Sequence, residues 1–255
     1  NFAKLPILQD GLAVSLDNFA KRELQRYLGE DHEKSTAAIN WLALVLFAPD
    51  KSYDLAFFKI KNKEVRATLG LQEKEFYNFR EISKAINKNF SLLSKLEKRS
   101  DAELSFIERE LIEIYFHNLR FFQLSRSLSI LTKKSKDLDK KSSILRIIPP
   151  QINPSSNLWH SPWQLAKIGA GTPDTANYLK SWQQMRLAYL KNDAEKWQQA
   201  SLAAFVKIKI LAKDHVDFVK LYLSDSYEEI APVRLLVILY FLTFLACCFY
   251  FAYPG

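Results

Sequence analysis

Apolar residues recur every three to four positions along most of the chain, which is the spacing of one face of a helix. Leu16–Leu28 is the first segment with this pattern, and Gly29 is suited to end it. Ser35 can cap a second helix, which is apolar nearly all round and stops at Pro49. Since about a dozen residues are too few to span a bilayer, this pattern predicts a buried core helix.

Capping signals mark the starts of two further helices. Asn78 with Glu81, and Ser100 with Glu103, both match the capping box, in which two residues three apart satisfy each other's backbone groups. The second pair predicts a long helix over about 101–132. Two helices joined by a short polar turn near residue 100 would form a helical hairpin.

The later part of the chain repeats a different start signal. Proline follows a hydroxyl residue at Ser161–Pro162 and again at Thr172–Pro173, where a helix is predicted through about Lys191. Asn192 can cap the next helix, and a helical pattern resumes over about 214–229. The segments "LPILQDG" and "AFFKIK" are predicted to be extended. After the second, one or two helical turns are predicted to end at Gly70.

These elements predict a mainly α fold, an irregular multi-helix domain with a long helical hairpin, few short strands and a C-terminal transmembrane helix. The sequence "KKSKDLDKKSS" is typical of a linker, and a proline-rich crossing follows it. The predicted organisation is an N-terminal helical subdomain at 1–132, a linker and crossing at 133–160, a C-terminal helical subdomain at 161–231 and the transmembrane helix at 232–255.

The last segment carries the membrane prediction. No residue from Leu235 to Tyr253 is charged, and 19 helical residues extend roughly 29 Å, close to the thickness of the hydrocarbon core. The sequence before it is poor in Lys and Arg, which favours the non-cytoplasmic side. The chain begins at Asn1 without a signal peptide, and we expect it to be a piece of a longer protein.

Composition changes this picture little. The net charge is +8, and apolar residues make up 48 % of the chain, which is an ordinary globular value. A basic chain suits nucleic acid, an anionic membrane or simple solubility. The lysine-rich run Lys133–Lys141 contains Asp137 and Asp139 and lacks the aromatic residues that stack on bases, so no nucleic acid partner is expected.

His160 is the candidate cofactor-binding residue. It lies between Trp159 and Trp163 in "LWHSPW", where an aromatic-flanked histidine could ligate haem iron or stack on a porphyrin. The alternative is a loop histidine whose tryptophans fix the crossing to the core. His117, in the long helix, is interpreted as a packed or surface histidine.

Other candidate motifs have simpler explanations. "GAGTPDT" at Gly169 lacks the third glycine of a phosphate loop and is explained by a loop before a helix. The adjacent Cys247 and Cys248 form no metal-binding pattern and are interpreted as small packing residues. No catalytic residues and no metal site are predicted, so whether the chain is an enzyme stays open.

Five segments together resemble the extracytoplasmic region of bacterial cytochrome c biogenesis proteins of System II, the CcsA-type haem-handling membrane proteins, in their long variants. The resembling segments are "LPILQDGLAVSLDNFAKREL", "INWLALVLFAPDKSYDLAFFKIKNKEVRATLGL", "RIIPPQINPSSNLWHSPWQL", "WQQMRLAYLKNDAEKWQQA" and "SYEEIAPVRLLVILYFLTFL". Leu12 and Ser15 replace a glycine and a proline of the family pattern. The family's tryptophan-rich haem signature is absent, so no haem ligand is carried over.

The resemblance implies a domain that supports haem attachment to apocytochrome c, with haem as a cofactor of the whole protein and no cofactor in this segment. It implies the inner membrane, apocytochrome c and other assembly subunits as partners, and a location on the periplasmic side. Three alternatives remain: a membrane-anchored helical adaptor unrelated to haem, a hydrolase that uses His160, and a nucleic-acid binder.

Overall fold

Helices account for most of the described chain, which confirms the mainly α prediction. The computed structural model describes residues 1–29, 35–132, 143–151, 158–223 and 236–244. The helices are α1 Leu16–Leu28, α2 Ser35–Phe47, α3 Pro49–Ser52, α4 Lys63–Leu69, α5 Phe79–Lys88, α6 Phe90–Leu96, α7 Phe106–Ser125, α8 Pro162–Ile168, α9 Pro173–Leu190 and α10 Ala194–Leu211.

The opening extended segment forms a β-hairpin. Strand β1 (Pro6–Gln9) pairs antiparallel with β2 (Leu12–Ser15), and Gln9 lies opposite Leu12. Asp10 and Gly11 between them have φ angles of +50° and +82°. A two-residue turn with two positive φ angles has the backbone twist that antiparallel strands require. The sequence predicted an extended segment here and not this pairing.

A second strand pair frames α4. Strand β3 (Ala56–Lys59) pairs antiparallel with β4 (Phe76–Asn78), and the register shifts between Ala56 and Phe58. The helix between them ends at Gly70, whose φ of +64° and ψ of +34° place it in the left-handed region. The predicted end of this helix at Gly70 is therefore confirmed.

The long helix begins later than predicted. Ser100 and Glu103 do form a capping box, but it closes only the single 3-10 turn Asp101–Glu103, after which Leu104 is extended. A second box then starts α7: the Ser105 Oγ accepts a hydrogen bond from the Glu108 amide at 3.3 Å. The prediction of one helix over 101–132 is wrong because two consecutive capping boxes divide the segment.

The start signals of the later helices are largely confirmed. Ser161 and Thr172 cap α8 and α9 with proline at the first helical position, and Asn78 with Glu81 caps α5. The exception is Asn192, which adopts a φ of +53° in the turn, while its neighbour Asp193 caps α10.

Two aromatic clusters fill the interior of the described residues. One surrounds Phe121 of α7 and contains Tyr27, Trp41, Tyr53, Phe57, Phe58 and Phe79. The other surrounds Phe47 of α2 and contains Phe2, Trp182, Tyr189 and Trp197. Phe47 and Phe121 are both fully buried. The second cluster joins the first residues of the chain to α9 and α10.

The chain divides into two compact units, residues 1–215 and 216–255. Within the first unit, the amide of Leu8 in β1 donates to the carbonyl of Arg146 at 3.0 Å. This bond attaches the predicted N-terminal subdomain to the crossing, and the Phe47 cluster connects both predicted subdomains. The linker prediction at 133–160 falls mostly on 133–142 and 152–157, which lie outside the described residues, and the predicted subdomain boundaries stay predictions.

The structure corrects the prediction of a C-terminal transmembrane helix. Among the described residues, no helix has both the length and the apolar character needed to cross a membrane. The described part of the predicted span is a helix over 236–244. Nine residues extend roughly 14 Å, about half of the hydrocarbon core. The rest of the predicted span lies outside the described residues.

Candidate functional site

His160 is placed in the crossing that the sequence predicted. Its backbone pairs with Ile148 in both directions: the His160 amide donates to the Ile148 carbonyl at 2.8 Å, and the Ile148 amide donates back at 3.1 Å. The imidazole is half-buried. The backbone of His160 therefore ties the crossing together, and the side chain lines none of the three cavities described below.

The tryptophans beside His160 are packing residues. Trp159 and Trp163 are both buried, and the indole Nε1 of Trp163 donates to the Arg126 carbonyl at 3.1 Å. This bond attaches α8 to the end of α7. Because both indoles are covered by protein, neither offers an open face to a porphyrin. This favours the interpretation of His160 as a loop histidine, and haem binding there stays a prediction.

Metal ligation receives no support within the described ranges. Among residues 1–29, 35–132, 143–151, 158–223 and 236–244, no group of three or more His, Cys, Asp and Glu side chains is arranged to hold a metal ion. The cysteines at 247 and 248, His32 and the lysine run at 133–141 lie outside the described residues.

An aromatic cavity of about 480 Å³ opens between α2 and the α9–α10 turn. We call it the aromatic cavity, and its walls include Phe2, Asn40, Tyr189, Asn192, Asp193 and Trp197. The rings of Tyr189 and Trp197 lie 5.6 Å apart between centroids. Burial raises the pKa of the Tyr189 hydroxyl, which therefore stays protonated as a hydrogen-bond donor at neutral pH.

Local backbone geometry shapes one end of this cavity. The left-handed Asn192 turns the chain between α9 and α10, and the Asp193 carboxylate accepts the amide of Lys196 at 3.0 Å. The hydrogen bond from the Lys196 ammonium lowers the pKa of Asp193, and so does that from its amide. The cavity thus combines three aromatic residues with amide and carboxylate groups, a set that suits a peptide more than a metal or an acyl substrate.

Another cavity, of about 360 Å³, lies between the 3-10 turn Ser129–Leu131 and the start of α9. Its walls are mostly apolar, with contributions from Leu131, Leu165 and Leu179 and from the Thr175 hydroxyl. That hydroxyl already donates to the Thr172 carbonyl at 2.8 Å. Because the walls are mostly apolar and the Thr175 hydroxyl is already paired, this cavity indicates no particular ligand or reaction.

A polar cleft of about 270 Å³ lies between the end of α1, the end of β3 and α7. We call it the polar cleft, and its walls include Arg26, Tyr27, Lys59, Lys61, Glu110, Glu113 and His117. Beside it, Arg120 donates two hydrogen bonds to the fully buried Glu23, at 2.7 Å from Nε to Oε2 and at 2.6 Å from Nη2 to Oε1. The bidentate geometry fixes α7 to α1.

The electrostatics of the polar cleft centre on His117. Burial lowers its pKa below the ordinary 6.5, although the carboxylate of Glu113 acts in the opposite direction. The closest approach of the two groups, from Nε2 to Oε1, is 3.7 Å, which is too long for a hydrogen bond. His117 is therefore neutral at pH 7 and offers one N–H donor and one acceptor nitrogen.

Sequence reasoning did not identify either of these sites. In the sequence, His117 is indistinguishable from an ordinary helical histidine. Its neighbours in the fold, Glu23 and Tyr27, lie about ninety residues earlier in the chain. The aromatic cavity is likewise made by distant segments. The sequence "KNDAEKW" predicts a helix boundary. Its polar turn between aromatic residues is the one sign of a cavity that the sequence contains.

No protein-family model matches the chain, and no curated protein matches it significantly. Function is therefore inferred from the residues themselves and from the sequence resemblance given above.

Proposed function

We propose that the chain is the extracytoplasmic domain of a cytochrome c assembly protein, and that it binds apocytochrome c polypeptide in the aromatic cavity. On this proposal the domain lies on the periplasmic side of the inner membrane and supports haem attachment without contributing catalytic residues. Haem belongs to other parts of the whole protein.

The proposal rests first on the sequence resemblance. Contacts join the first of its segments to the third, and the second to the fourth. Leu8, in the opening segment, bonds to Arg146 at the start of the proline-rich crossing. Phe47, in the second segment, lies 5.3 Å from the ring of Trp197 and 6.2 Å from that of Trp182, both in the fourth segment. These contacts join segments that are far apart in the chain into one fold.

The observation that carries the proposal is the composition of the aromatic cavity. Most of its wall residues come from two of the resembling segments, "INWLALVLF" and "WQQMRLAYLKNDAEKWQQA", and the rest are Asn1, Phe2 and Ala3. Tyr and Trp are the residue types that contribute most to protein recognition, because they combine a large apolar area with a polar group. Asn40 and Asn192 supply amide groups that can pair with the backbone of an extended peptide.

A peptide-binding assay combined with a cellular assay tests the proposal. A reduced peptide with a C-x-x-C-H sequence is titrated into the full chain while tryptophan fluorescence is followed. Tyr189→Ala is expected to weaken binding roughly tenfold, as for an interface hot spot. The same substitution in the intact protein is expected to lower the c-type cytochrome content of cells, measured by haem staining. Leu202→Ala is the matched control, since Leu202 lies half-exposed on α10 and outside the cavity.

Two results would count against the proposal. If Tyr189→Ala changed neither peptide affinity nor cytochrome content, the cavity would not be a binding site for apocytochrome. The second contrary result would be equal affinity for a peptide that lacks the two cysteines of the C-x-x-C-H sequence, together with a normal cytochrome content. The alternative of an adaptor domain unrelated to haem would then replace the proposal.

A further inference from the structure

The polar cleft contains a buried hydroxyl without a partner. Tyr27 is 3 % exposed and lines the cleft, and its hydroxyl makes no hydrogen bond with the residues that the structure describes. A buried hydroxyl left unpaired is destabilising, so proteins rarely retain one without a reason. A ligand that enters the cleft would give this group an acceptor.

His117 stands next to this hydroxyl. The imidazole and the Tyr27 ring meet edge to face, with 5.7 Å between centroids. The His117 side chain is 19 % exposed, and its Nε2 lies 3.7 Å from the Glu113 Oε1, beyond hydrogen-bond distance. The neutral imidazole has one N–H that can donate to an acceptor from outside the protein.

Arg26 supplies a positive charge to the cleft. Its Nε lies 3.5 Å from Glu23, but both oxygens of that carboxylate already accept the two stronger bonds from Arg120. The terminal N–H groups of Arg26 remain a planar fork that matches an oxyanion. The guanidinium is partly exposed, at 42 %, and is therefore accessible.

The remaining charges of the walls balance. Lys59 and Lys61 add two positive charges, and Glu110 and Glu113 add two negative ones. Glu110 accepts a hydrogen bond from the Asn62 amide at 2.8 Å, and Glu113 is 66 % exposed. These two carboxylates are thus paired or exposed to solvent, and the positive charge offered to an anion is that of Arg26.

We propose that the polar cleft binds a small organic oxyanion, a carboxylate or a phosphate, held by Arg26, His117 and the Tyr27 hydroxyl. The volume of about 270 Å³ lies near the lower end of ligand sites and suits a small metabolite. Arg26 pairs with the oxyanion through its fork, and the two neutral donors complete its coordination. This site is separate from the aromatic cavity and independent of the function proposed there.

Ligand titration by NMR tests this site. Acetate, succinate and inorganic phosphate are each added to the full chain at constant ionic strength set with chloride, and the His117 ring signals are assigned with His117→Gln. A saturable shift with a carboxylate or with phosphate identifies the source of the oxyanion. Arg26→Gln is expected to weaken this binding about tenfold or more, as expected for the loss of a charge-assisted bond. Arg80→Gln, which removes an exposed arginine paired with Asp54, should leave affinity unchanged.

A second variant separates binding from folding. Tyr27→Phe removes the unpaired hydroxyl, so the melting temperature of the ligand-free protein should stay equal or rise, while oxyanion affinity falls severalfold. A lower melting temperature of ligand-free Tyr27→Phe would mean that the hydroxyl has a partner in the protein and would overturn the proposal. Shifts that chloride reproduces at the same ionic strength would overturn it as well.

Discussion

The protonation state of His117 follows from its position on α7. Desolvation is the larger influence on its pKa and disfavours the imidazolium. The neighbouring charges oppose one another, because Glu113 and Glu23 raise the pKa while Arg26 and Arg120 lower it. The net direction is downward, so folding favours the neutral imidazole.

This direction predicts a pH dependence of stability. The unfolded chain binds a proton at His117 near the ordinary pKa of 6.5, and the folded chain does so only at lower pH. Between these two values the unfolded state holds more protons, so the free energy of unfolding falls as the pH falls below about 6.5. His117→Gln should remove this part of the slope. Urea unfolding of both proteins at several pH values from 5 to 7.5 measures it. Parallel profiles for the two proteins would contradict the assignment.

The sequence alone did not predict the roles of residues in the aromatic cavity and the polar cleft. The sequence indicated His160 as a candidate cofactor ligand because two tryptophans flank it. In the structure both indoles are buried, and one of them donates a hydrogen bond to the Arg126 carbonyl. The pattern around His117 is ordinary, yet the fold brings it to Tyr27. A single sequence reveals neighbours along the chain, whereas these sites depend on contacts between distant residues.

At the scale of elements, local signals were predicted well and pairings were not. The capping boxes at Asn78 and Ser161 involve residues three apart, and the helix end at Gly70 depends on one residue's conformation. The start of α7 was misplaced because Ser100 and Ser105 carry the same signal five residues apart. Both capping boxes form, but the first opens only a 3-10 turn. The β3–β4 pair joins segments separated by α4, which no local pattern indicates.

The β1–β2 hairpin turn is the element whose backbone depends most on a single glycine. Gly11 has a φ of +82°, while an added Cβ would meet no atom within 4 Å. Gly11→Ala should therefore destabilise the protein by backbone strain alone, by about 1 kcal/mol. Gly171→Ala is the matched control: its backbone is unstrained, and the added Cβ would make ordinary contacts, at 3.8 Å with the Thr175 hydroxyl. Its stability should stay equal or rise slightly.

Urea midpoints of the two alanine variants give the comparison. Equal losses at both positions would show that the methyl group, and not the left-handed backbone of Gly11, causes the effect. In that case the Asp10–Gly11 turn would not require its observed conformation.

At the scale of the whole molecule, the Phe47 cluster decides how the first unit unfolds. Phe47 lies in α2 and contacts Phe2 near the start of the chain and Trp197 in α10, with 5.6 and 5.3 Å between ring centroids. Subdomains at 1–132 and 161–231 would unfold separately only if this cluster were weak. Because Phe2, Phe47 and Trp182 of this cluster are buried, we expect residues 1–215 to unfold as one cooperative unit.

Phe47→Ala tests this expectation. Loss of a fully buried phenylalanine should cost about 3–5 kcal/mol. The urea transitions measured by tryptophan fluorescence, which includes Trp182 and Trp197, and by hydrogen exchange of amides in α7 should shift together. Phe106→Ala is the control, since Phe106 is 75 % exposed and should leave both transitions in place. If Phe47→Ala shifted the fluorescence transition while the α7 amides kept their protection, the two predicted subdomains would be independent folding units, and α2 would belong to the C-terminal one.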